Sequence, residues 1–205
     1  MTSPNRDGSS SPARRLCVFC GSSDGGHPRY LELARETGRT LARKGIGVVY
    51  GGANRGLMGA VADAALAEGG EVLGVLPRGL EAIEVAHRGL TGLEIVDTLH
   101  ERKARMMELS DGFVALPGGH GTLEELFEVL TWLQLNIHSN PVGVVNLDGY
   151  YDHMLGHLDH CQGEGFIQPR HRGLLLAEPT LHGLLDAMET WEAPERPEWT
   201  TSARP

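Results

Sequence analysis

Short apolar runs alternate along the chain with longer segments in which apolar residues recur at helical spacing. The short runs have the length of strands, and the longer segments have the periodicity of amphipathic helices. Strands are predicted at residues 16–19, 46–50, 72–76, 93–96, 113–116 and 142–147. Helices are predicted at about residues 28–44, 57–68, 100–109, 122–136, 151–162, 170–176 and 180–189.

Strands that alternate with helices form βαβ units, which build a parallel sheet with right-handed crossovers. Most of the predicted strands are apolar without strict alternation, as expected when helices cover both faces of the sheet. We therefore predict the α/β fold class, with a single domain over residues 15–190. Residues 1–14 and 191–205 are poor in apolar residues and are expected to be disordered tails.

Three of the predicted strands end in glycine-rich segments. These are Gly21-Ser22-Ser23, Gly51-Gly52 and Gly118-Gly119. In open parallel sheets, ligands bind beyond the carboxyl ends of the strands. The sequence therefore places the candidate site at that edge of the sheet.

The segment Pro117-Gly-Gly-His-Gly-Thr-Leu-Glu-Glu125 is the strongest local feature. Its glycines allow close approach of a ligand to the backbone, and a helix predicted to begin near Thr122 offers free N–H groups to a phosphate. It is not a Walker A loop, and Glu124 stands where the dinucleotide fingerprint requires a third glycine. Thr122 and Glu125 also have the spacing of a capping box, so Glu125 could serve only as a cap. The other glycine segment, residues 51–59, could likewise be a simple tight turn.

A basic segment, His100-Glu-Arg-Lys-Ala-Arg105, opens the helix before the fifth strand. Arg102 and Arg105 are three residues apart and are predicted to share a helix face. A guanidinium group suits a phosphate or a carboxylate. The alternative is a solvated face whose arginines pair locally with Glu101 and Glu108.

Charge and cysteine content narrow the function further. A net charge of -9 argues against general nucleic-acid binding, which requires a basic surface. The odd number of cysteines, at positions 17, 20 and 161, argues against a disulfide framework and favours the cytoplasm. No apolar run approaches the roughly 18 residues of a membrane span, and the N-terminal segment lacks the apolar core of a secretory signal.

Taken together, these segments resemble the Lonely Guy (LOG) family of cytokinin riboside 5′-monophosphate phosphoribohydrolases over roughly residues 15–190. The arginine–lysine segment and the glycine segment are specific in combination, although neither is specific alone. The matching elements are Cys20-Gly-Ser-Ser23, Tyr50-Gly-Gly, Gly56-Leu-Met-Gly59, Gly74-Val-Leu-Pro77, Glu84 with His87, His100-Glu-Arg-Lys103, Pro117-Gly-Gly-x-Gly-Thr-x-x-Glu125, Pro141-Val-Gly and Asp148-Gly-Tyr-Tyr151.

The resemblance implies a Rossmann-like, doubly wound parallel sheet with helices on both faces, and a homodimer or higher homo-oligomer. It implies hydrolysis of the N-glycosidic bond of adenosine 5′-monophosphate or an N6-modified form, with Arg102 and Glu125 as catalytic residues. No metal or organic cofactor is implied, and the partner is a nucleoside monophosphate, not nucleic acid or a membrane. The substrate- and phosphate-binding residues that it implies are Ser22, Gly51, Gly52, Glu84, Lys103, Gly118, Gly119, Gly121 and Thr122.

Members of this family often carry the older label lysine decarboxylase, which the sequence disfavours. A pyridoxal enzyme needs a Schiff-base lysine. The chain has only Lys44, at a predicted helix end, and Lys103, which lies among arginines. A non-enzymatic alternative remains a carrier that binds a phosphorylated nucleotide or cofactor without cutting it.

Two further chemistries are weaker alternatives. His153, His157 and His160 share one face of a predicted helix beside Asp152, a spacing that can bind zinc. Cys17 and Cys20 lie three apart on a predicted strand, so their side chains point to opposite faces and a redox disulfide is not expected. His120, within the glycine segment, is expected to face solvent.

Overall fold

The computed structural model describes residues 14–80 and 86–193, and its centre is one parallel sheet of seven strands. The strand order is β4-β3-β2-β1-β5-β6-β7, and every neighbouring pair is parallel. The strands are β1 Arg15–Phe19, β2 Gly47–Tyr50, β3 Val72–Pro77, β4 Gly92–Val96, β5 Phe113–Ala115, β6 Val142–Val145 and β7 Leu175–Glu178.

Helices cover both faces of this sheet. The helices of the described residues are α1 Pro28–Arg43, α2 Gly56–Ala67, α3 Leu99–Glu108, α4 His120–Gln134, α5 Asp152–Gly163, α6 Pro169–Arg172 and α7 Leu181–Glu189. Helices α1, α2 and α7 pack their apolar residues on one face, and α3, α4 and α5 pack on the other. The predicted α/β class, with a doubly wound sheet and helices on both faces, is confirmed.

Strand β1 shows that the sheet is buried on both faces. Within β1, Val18 belongs to the apolar cluster under α1 and α2, whereas Cys17 belongs to the cluster under α4. Cys20, just after the strand, lies in the first cluster, so the two cysteines face opposite layers as predicted. Both are buried free thiols.

The direction of strand progression reverses between β1 and β5. The chain adds β2, β3 and β4 on one side of β1, and then β5, β6 and β7 on the other. A crevice forms at such a switch point because the connections after the two central strands leave in opposite directions. The segments that follow β1 and β5 are two of the three glycine-rich segments identified in the sequence.

One predicted element is wrong. Residues 170–176 were expected to form a helix, but α6 ends at Arg172 and the chain then enters strand β7. Strand β7 pairs with β6 from Val142↔Leu175 to Val145↔Glu178, so backbone hydrogen bonding to the sheet overrides the helical preference of Leu, Ala and Glu. Most of the two tails predicted at residues 1–14 and 191–205 lies outside the described residues. No helix of the described residues is long and apolar enough to cross a membrane.

Candidate active site

The glycine loop, defined here as residues 117–122, connects β5 to α4 at the switch point. Helix α4 begins at His120, its N-cap is Gly119, and no side chain caps it. Thr122 therefore lies inside the first turn and is buried, so the capping-box interpretation of Thr122 and Glu125 is wrong. The first N–H groups of a helix have no intrahelical acceptor and lie at the positive end of its dipole. These groups suit an anion, and His120 is exposed, as expected.

The glycines of this loop serve two different purposes. A Cβ atom on Gly118 would lie 2.1 Å from the Thr122 hydroxyl oxygen and 2.9 Å from the backbone nitrogen of Gly21, so the position is closed to any side chain. Gly119 and Gly121 instead face open space, with nothing within 4 Å of an added Cβ. Gly118 thus allows tight packing of the loop, and the other two leave room for a ligand.

The loop after β1 packs against the glycine loop. The backbone N–H of Gly21 donates to the Pro117 carbonyl at 3.1 Å, and the Gly21 carbonyl accepts from the Leu57 N–H of α2 at 3.0 Å. These contacts hold Ser22 at the rim of a cleft of about 560 Å3. The residues lining this switch-point cleft include Ser22, Tyr30, Leu57, Gly118, Gly119 and Tyr150.

A second cleft of about 520 Å3 lies on the other side of the α4 N-terminus, between α3 and α4. Its lining includes Arg102, Lys103, Gly121 and Glu125. The glycine loop therefore borders both clefts, with Gly119 lining the first and Gly121 lining the second.

Arg102 and Glu125 meet in this second cleft. The Nη2 atom of Arg102 lies 3.6 Å from Oε1 of Glu125, and their side chains are 7% and 15% exposed. Arg102 also explains Gly51, since a Cβ there would lie 1.8 Å from Nη2. The segment after β2 is therefore more than a tight turn: it leaves the space that the guanidinium occupies. Gly52 adopts φ +79°, which favours glycine.

Arg105 does not join this site, although it is three residues from Arg102. It makes a surface ion pair with Glu94, with Nε 2.6 Å from Oε2, and a second with Glu108 at 3.0 Å. The predicted shared face is wrong in this respect. Arg105 fits the solvated-face alternative, whereas Arg102 is buried.

Lys103 lines the second cleft, but two carboxylates already balance the charge of its ammonium group. It contacts the carboxylate of Glu124 and lies 3.1 Å from Oε1 of Glu128. Burial lowers the pKa of Lys103, yet the hydrogen bonds that its ammonium donates to these two carboxylates outweigh burial and raise the pKa overall. The group is therefore a firmly charged bridge between α3 and α4.

Glu84 lies outside the described residues. His87, which matches the family together with Glu84, is buried, and its Nε2 atom lies 2.9 Å from Oδ1 of Asp63. The backbone N–H of His87 donates to the Gly52 carbonyl at 3.0 Å. The chain that follows β3 is thereby tied to the loop after β2, beside Arg102.

The buried cysteines near the site are not nucleophiles. Burial, and then the negative charge of Glu125, raises the pKa of the Cys17 and Cys20 thiols well above the usual value. Thiolate is the reactive form of cysteine, so neither group is activated. Among residues 14–80 and 86–193, no group of three or more His, Cys, Asp or Glu side chains is arranged to hold a metal ion.

Sequence reasoning missed Tyr150. Its hydroxyl donates to the carbonyl oxygen of Gly118 at 2.7 Å, and its ring lines the switch-point cleft. The segment Asp148-Gly-Tyr-Tyr151 was visible in the sequence, but without the fold nothing indicated which loop its tyrosines would reach.

The sheet order and the glycine-lined edge together define a Rossmann-like α/β protein with a small-molecule site at its switch point. Several solved structures share this fold. The molybdenum cofactor binding protein of Rippkaea orientalis has a TM-score of 0.67 at 18% identity, covering 88% of this chain and 98% of its own. The molybdenum cofactor carrier protein of Chlamydomonas reinhardtii has a TM-score of 0.64 at 20% identity, covering 86% and 96%.

Comparison of the sequence with known proteins identifies the family, whereas the solved structures show only the fold. The family described as "Possible lysine decarboxylase" matches residues 58–188. The probable cytokinin riboside 5′-monophosphate phosphoribohydrolase LOGL5 of Oryza sativa is 48% identical over 181 residues, which cover 88% of this chain and 74% of the relative. The Arabidopsis thaliana enzyme LOG7 is 45% identical over 188 residues, which cover 92% and 86%.

The chain belongs to this family, and the resemblance inferred from its motifs is confirmed. The decarboxylase label does not describe these relatives, which are named as phosphoribohydrolases.

Proposed function

We propose that this protein hydrolyses the N-glycosidic bond of adenosine 5′-monophosphate or an N6-modified form, releasing the free base and ribose 5-phosphate. The proposal is supported by relatives of the same named activity at 45–48% identity. One observation carries it in the structure. The glycine loop lines both the cleft at the sheet's switch point and the second cleft, which holds the largely buried Arg102–Glu125 pair.

The phosphate binds at the glycine loop in this proposal. The N–H groups of the first turn of α4, with the open positions Gly119 and Gly121, provide donors and space. Ser22 lines the same cleft as Gly119, and Gly121 lines the second cleft. Anchoring the phosphate fixes the ribose, and binding energy from such a non-reacting group is used to orient the reacting carbon.

The reaction takes place at C1′ of the ribose. Its transition state has oxocarbenium character, so it is stabilised by nearby negative charge and by an activated water. Glu125 accepts the proton of the attacking water or stabilises the positive sugar. The water oxygen bonds to C1′, the bond from C1′ to the base breaks, and the base leaves with the bonding electrons and takes up a proton.

Arg102 acts on the carboxylate in this proposal. A positive charge beside a carboxylate favours its ionised form, and Arg102 lies 3.6 Å from Glu125. Gly51 leaves the space that the guanidinium occupies, and the His87 N–H bonds to the carbonyl of the adjacent Gly52.

Lysine decarboxylation does not fit the two lysines. Lys44 is the C-cap of α1, and Lys103 is held by Glu124 and Glu128. A Schiff base requires an uncharged amine, and the raised pKa of Lys103 opposes that form.

The test is to incubate purified protein with AMP and, separately, with isopentenyladenosine monophosphate, and to measure free base and ribose 5-phosphate by chromatography. Stoichiometric release of both products supports the proposal, and the two rates identify the preferred base. Tight binding of the nucleotide with no base released supports the carrier alternative instead.

We also propose that the protein is a cytoplasmic homodimer or higher homo-oligomer with no nucleic-acid partner. Apolar side chains that stand out from α3 and from the end of α4 suit a contact between subunits, since Leu99, Leu135 and Ile137 are each more than half exposed. The acidic net charge of -9 disfavours nucleic acid. Light scattering on the purified protein tests the oligomeric state.

A further inference from the structure

Tyr150 makes a long-range contact that the proposed reaction does not yet use. It lies in the turn after β6, 32 residues from Gly118, and is 40% exposed. Its hydroxyl donates to the Gly118 carbonyl at 2.7 Å. The bond joins two segments that are far apart in the sequence, so it constrains the backbone of the glycine loop.

That bond controls the direction of a peptide group. The Gly118 carbonyl and the Gly119 N–H belong to one planar trans peptide, so fixing the carbonyl fixes the N–H pointing the opposite way. Both residues are glycines, whose backbone otherwise samples many conformations. Gly119 is the N-cap of α4, where the proposed phosphate binds. The Tyr150 hydroxyl therefore restricts rotation of the peptide group whose N–H belongs to the N-cap of α4.

Tyr150 is itself held by its neighbours. Its ring contacts Tyr30 of α1 and the buried Tyr151 edge-on, with centroids 5.6 and 5.0 Å apart. Arg29 of α1 bonds to Asp148 at 2.8 Å, which ties α1 to the same turn. These contacts hold the Tyr150 ring in place, so its hydroxyl is positioned to bond to Gly118.

We propose that Tyr150 is a positioning residue for the anion-binding loop, acting through the Gly118–Gly119 peptide on the 5′-phosphate. The proposal rests on the proposed function, because that function identifies the anion. It assigns Tyr150 no part in bond cleavage. It places the effect on the phosphate end of the substrate and leaves the base end untouched.

The test is Tyr150→Phe, which keeps the ring and removes the hydroxyl. A hydrogen bond of this kind contributes a factor of about 3 to 10 in binding. We expect KM for AMP to rise by about 3- to 10-fold and kcat to stay within about twofold, as for loss of binding common to ground and transition states. Inhibition by ribose 5-phosphate weakens by a similar factor, whereas inhibition by adenine does not change.

The matched control is Thr131→Val. The Thr131 hydroxyl also bonds to a backbone carbonyl at 2.7 Å, that of Phe127, but on the exposed side of α4 away from both clefts. This variant should leave all four constants unchanged. If Tyr150→Phe matches Thr131→Val, or weakens ribose 5-phosphate and adenine equally, Tyr150 has no positioning role.

The two proposals fail in different ways. If the wild-type protein releases no base, the hydrolase proposal is wrong, but calorimetric binding of ribose 5-phosphate to the wild type and to Tyr150→Phe still measures the loop. Equal affinities in that measurement overturn the role of Tyr150. A weaker variant supports it.

Discussion

Arg102 and Glu125 form a largely buried charge pair whose nearest atoms, Nη2 and Oε1, are 3.6 Å apart. Both side chains are largely removed from water, where an uncompensated charge is strongly destabilising. At 3.6 Å the contact is a charge interaction longer than a good hydrogen bond. The positive charge of Arg102 therefore stabilises the negative charge of the Glu125 carboxylate, and both residues line the second cleft.

Replacing Glu125 by Gln tests this pair with little change in shape. The variant loses the negative charge that activates water and stabilises the sugar cation. We expect base release from AMP to fall by roughly 10²- to 10⁴-fold, the usual size of a general-base contribution. Steady-state assays of base release measure this. Arg102→Ala is expected to abolish base release.

The control for both variants is a second ion pair, between Arg105, one turn further along α3, and Glu94 of β4. The pair Arg105–Glu94 has similar chemistry but is exposed and lies outside both clefts. Arg105→Ala and Glu94→Gln should retain activity within about twofold, since surface pairs contribute little. A thermal melt accompanies each assay. Were Glu125→Gln to retain full activity and only melt earlier, Glu125 would be a structural residue.

Gly51→Ala tests whether the position of Arg102 matters, not merely its presence. The new Cβ would lie 1.8 Å from Nη2 of Arg102 and 2.5 Å from the Met58 methyl, so the guanidinium must shift. A displacement of about 1 Å in a catalytic group can lower the rate by about 10²-fold. We expect a kcat/KM loss of that order in base-release assays.

Gly121→Ala is the contrasting substitution within the glycine loop. Nothing lies within 4 Å of the added Cβ, and Ala favours a helix over Gly by about 1 kcal/mol. We expect the variant to be at least as stable as the wild type in urea unfolding but to bind AMP with a higher KM. An unchanged KM would contradict placement of the phosphate beside Gly121.

The fold was largely predictable because strand and helix periodicities alternate without interruption. Strand β7 was not, since Leu175–Glu178 is short and composed of good helix formers. Only pairing with β6 makes it a strand, and sequence periodicity does not contain that pairing. Gly173 was the available signal that the helix before it ends.

The sequence was sufficient to predict which segments form the site. It was not sufficient to predict where the individual side chains lie within the site. Glycine-rich strand ends indicate one edge of a parallel sheet, which is where Ser22 and Gly118 meet. Helical spacing could not separate Arg102 from Arg105, because burial depends on what α3 packs against. Nor could it show that Tyr150 reaches Gly118, a contact made only by the folded chain.

Tyr50 allows a test of how a buried hydroxyl beneath the site affects stability. It is 1% exposed, and within the described part of the chain its hydroxyl has no hydrogen-bond partner. Burial raises the pKa of this hydroxyl above its usual value. An unsatisfied buried hydroxyl is destabilising, so Tyr50→Phe should keep or raise the free energy of unfolding. Urea denaturation measures the change.

Tyr151→Phe is the matched comparison for Tyr50→Phe. Tyr151 is equally buried, but its hydroxyl donates to the Leu116 carbonyl at 2.6 Å. Its removal leaves that carbonyl without this donor and should lower the free energy of unfolding by about 1–3 kcal/mol. If Tyr50→Phe were destabilised as much as Tyr151→Phe, the Tyr50 hydroxyl must have a bonding partner.

His138 makes stability depend on pH. Burial lowers the pKa of its imidazole from the ordinary value of 6.5, and only partly is this opposed by the bond to the Val129 carbonyl. Since Nδ1 accepts from the Asn140 N–H at 3.1 Å, the proton sits on Nε2, and this N–H donates to the Val129 carbonyl at 2.8 Å.

The folded state therefore favours neutral His138, whereas the unfolded chain binds a proton below about pH 6.5. Linkage makes this contribution complete above pH 6.5 and lost as the pH falls through the folded pKa. We expect urea denaturation at pH 8, 7, 6 and 5.5 to show a shallower acid-side loss of stability for His138→Gln than for the wild type. Parallel curves for the two proteins would show that His138 titrates alike in both states.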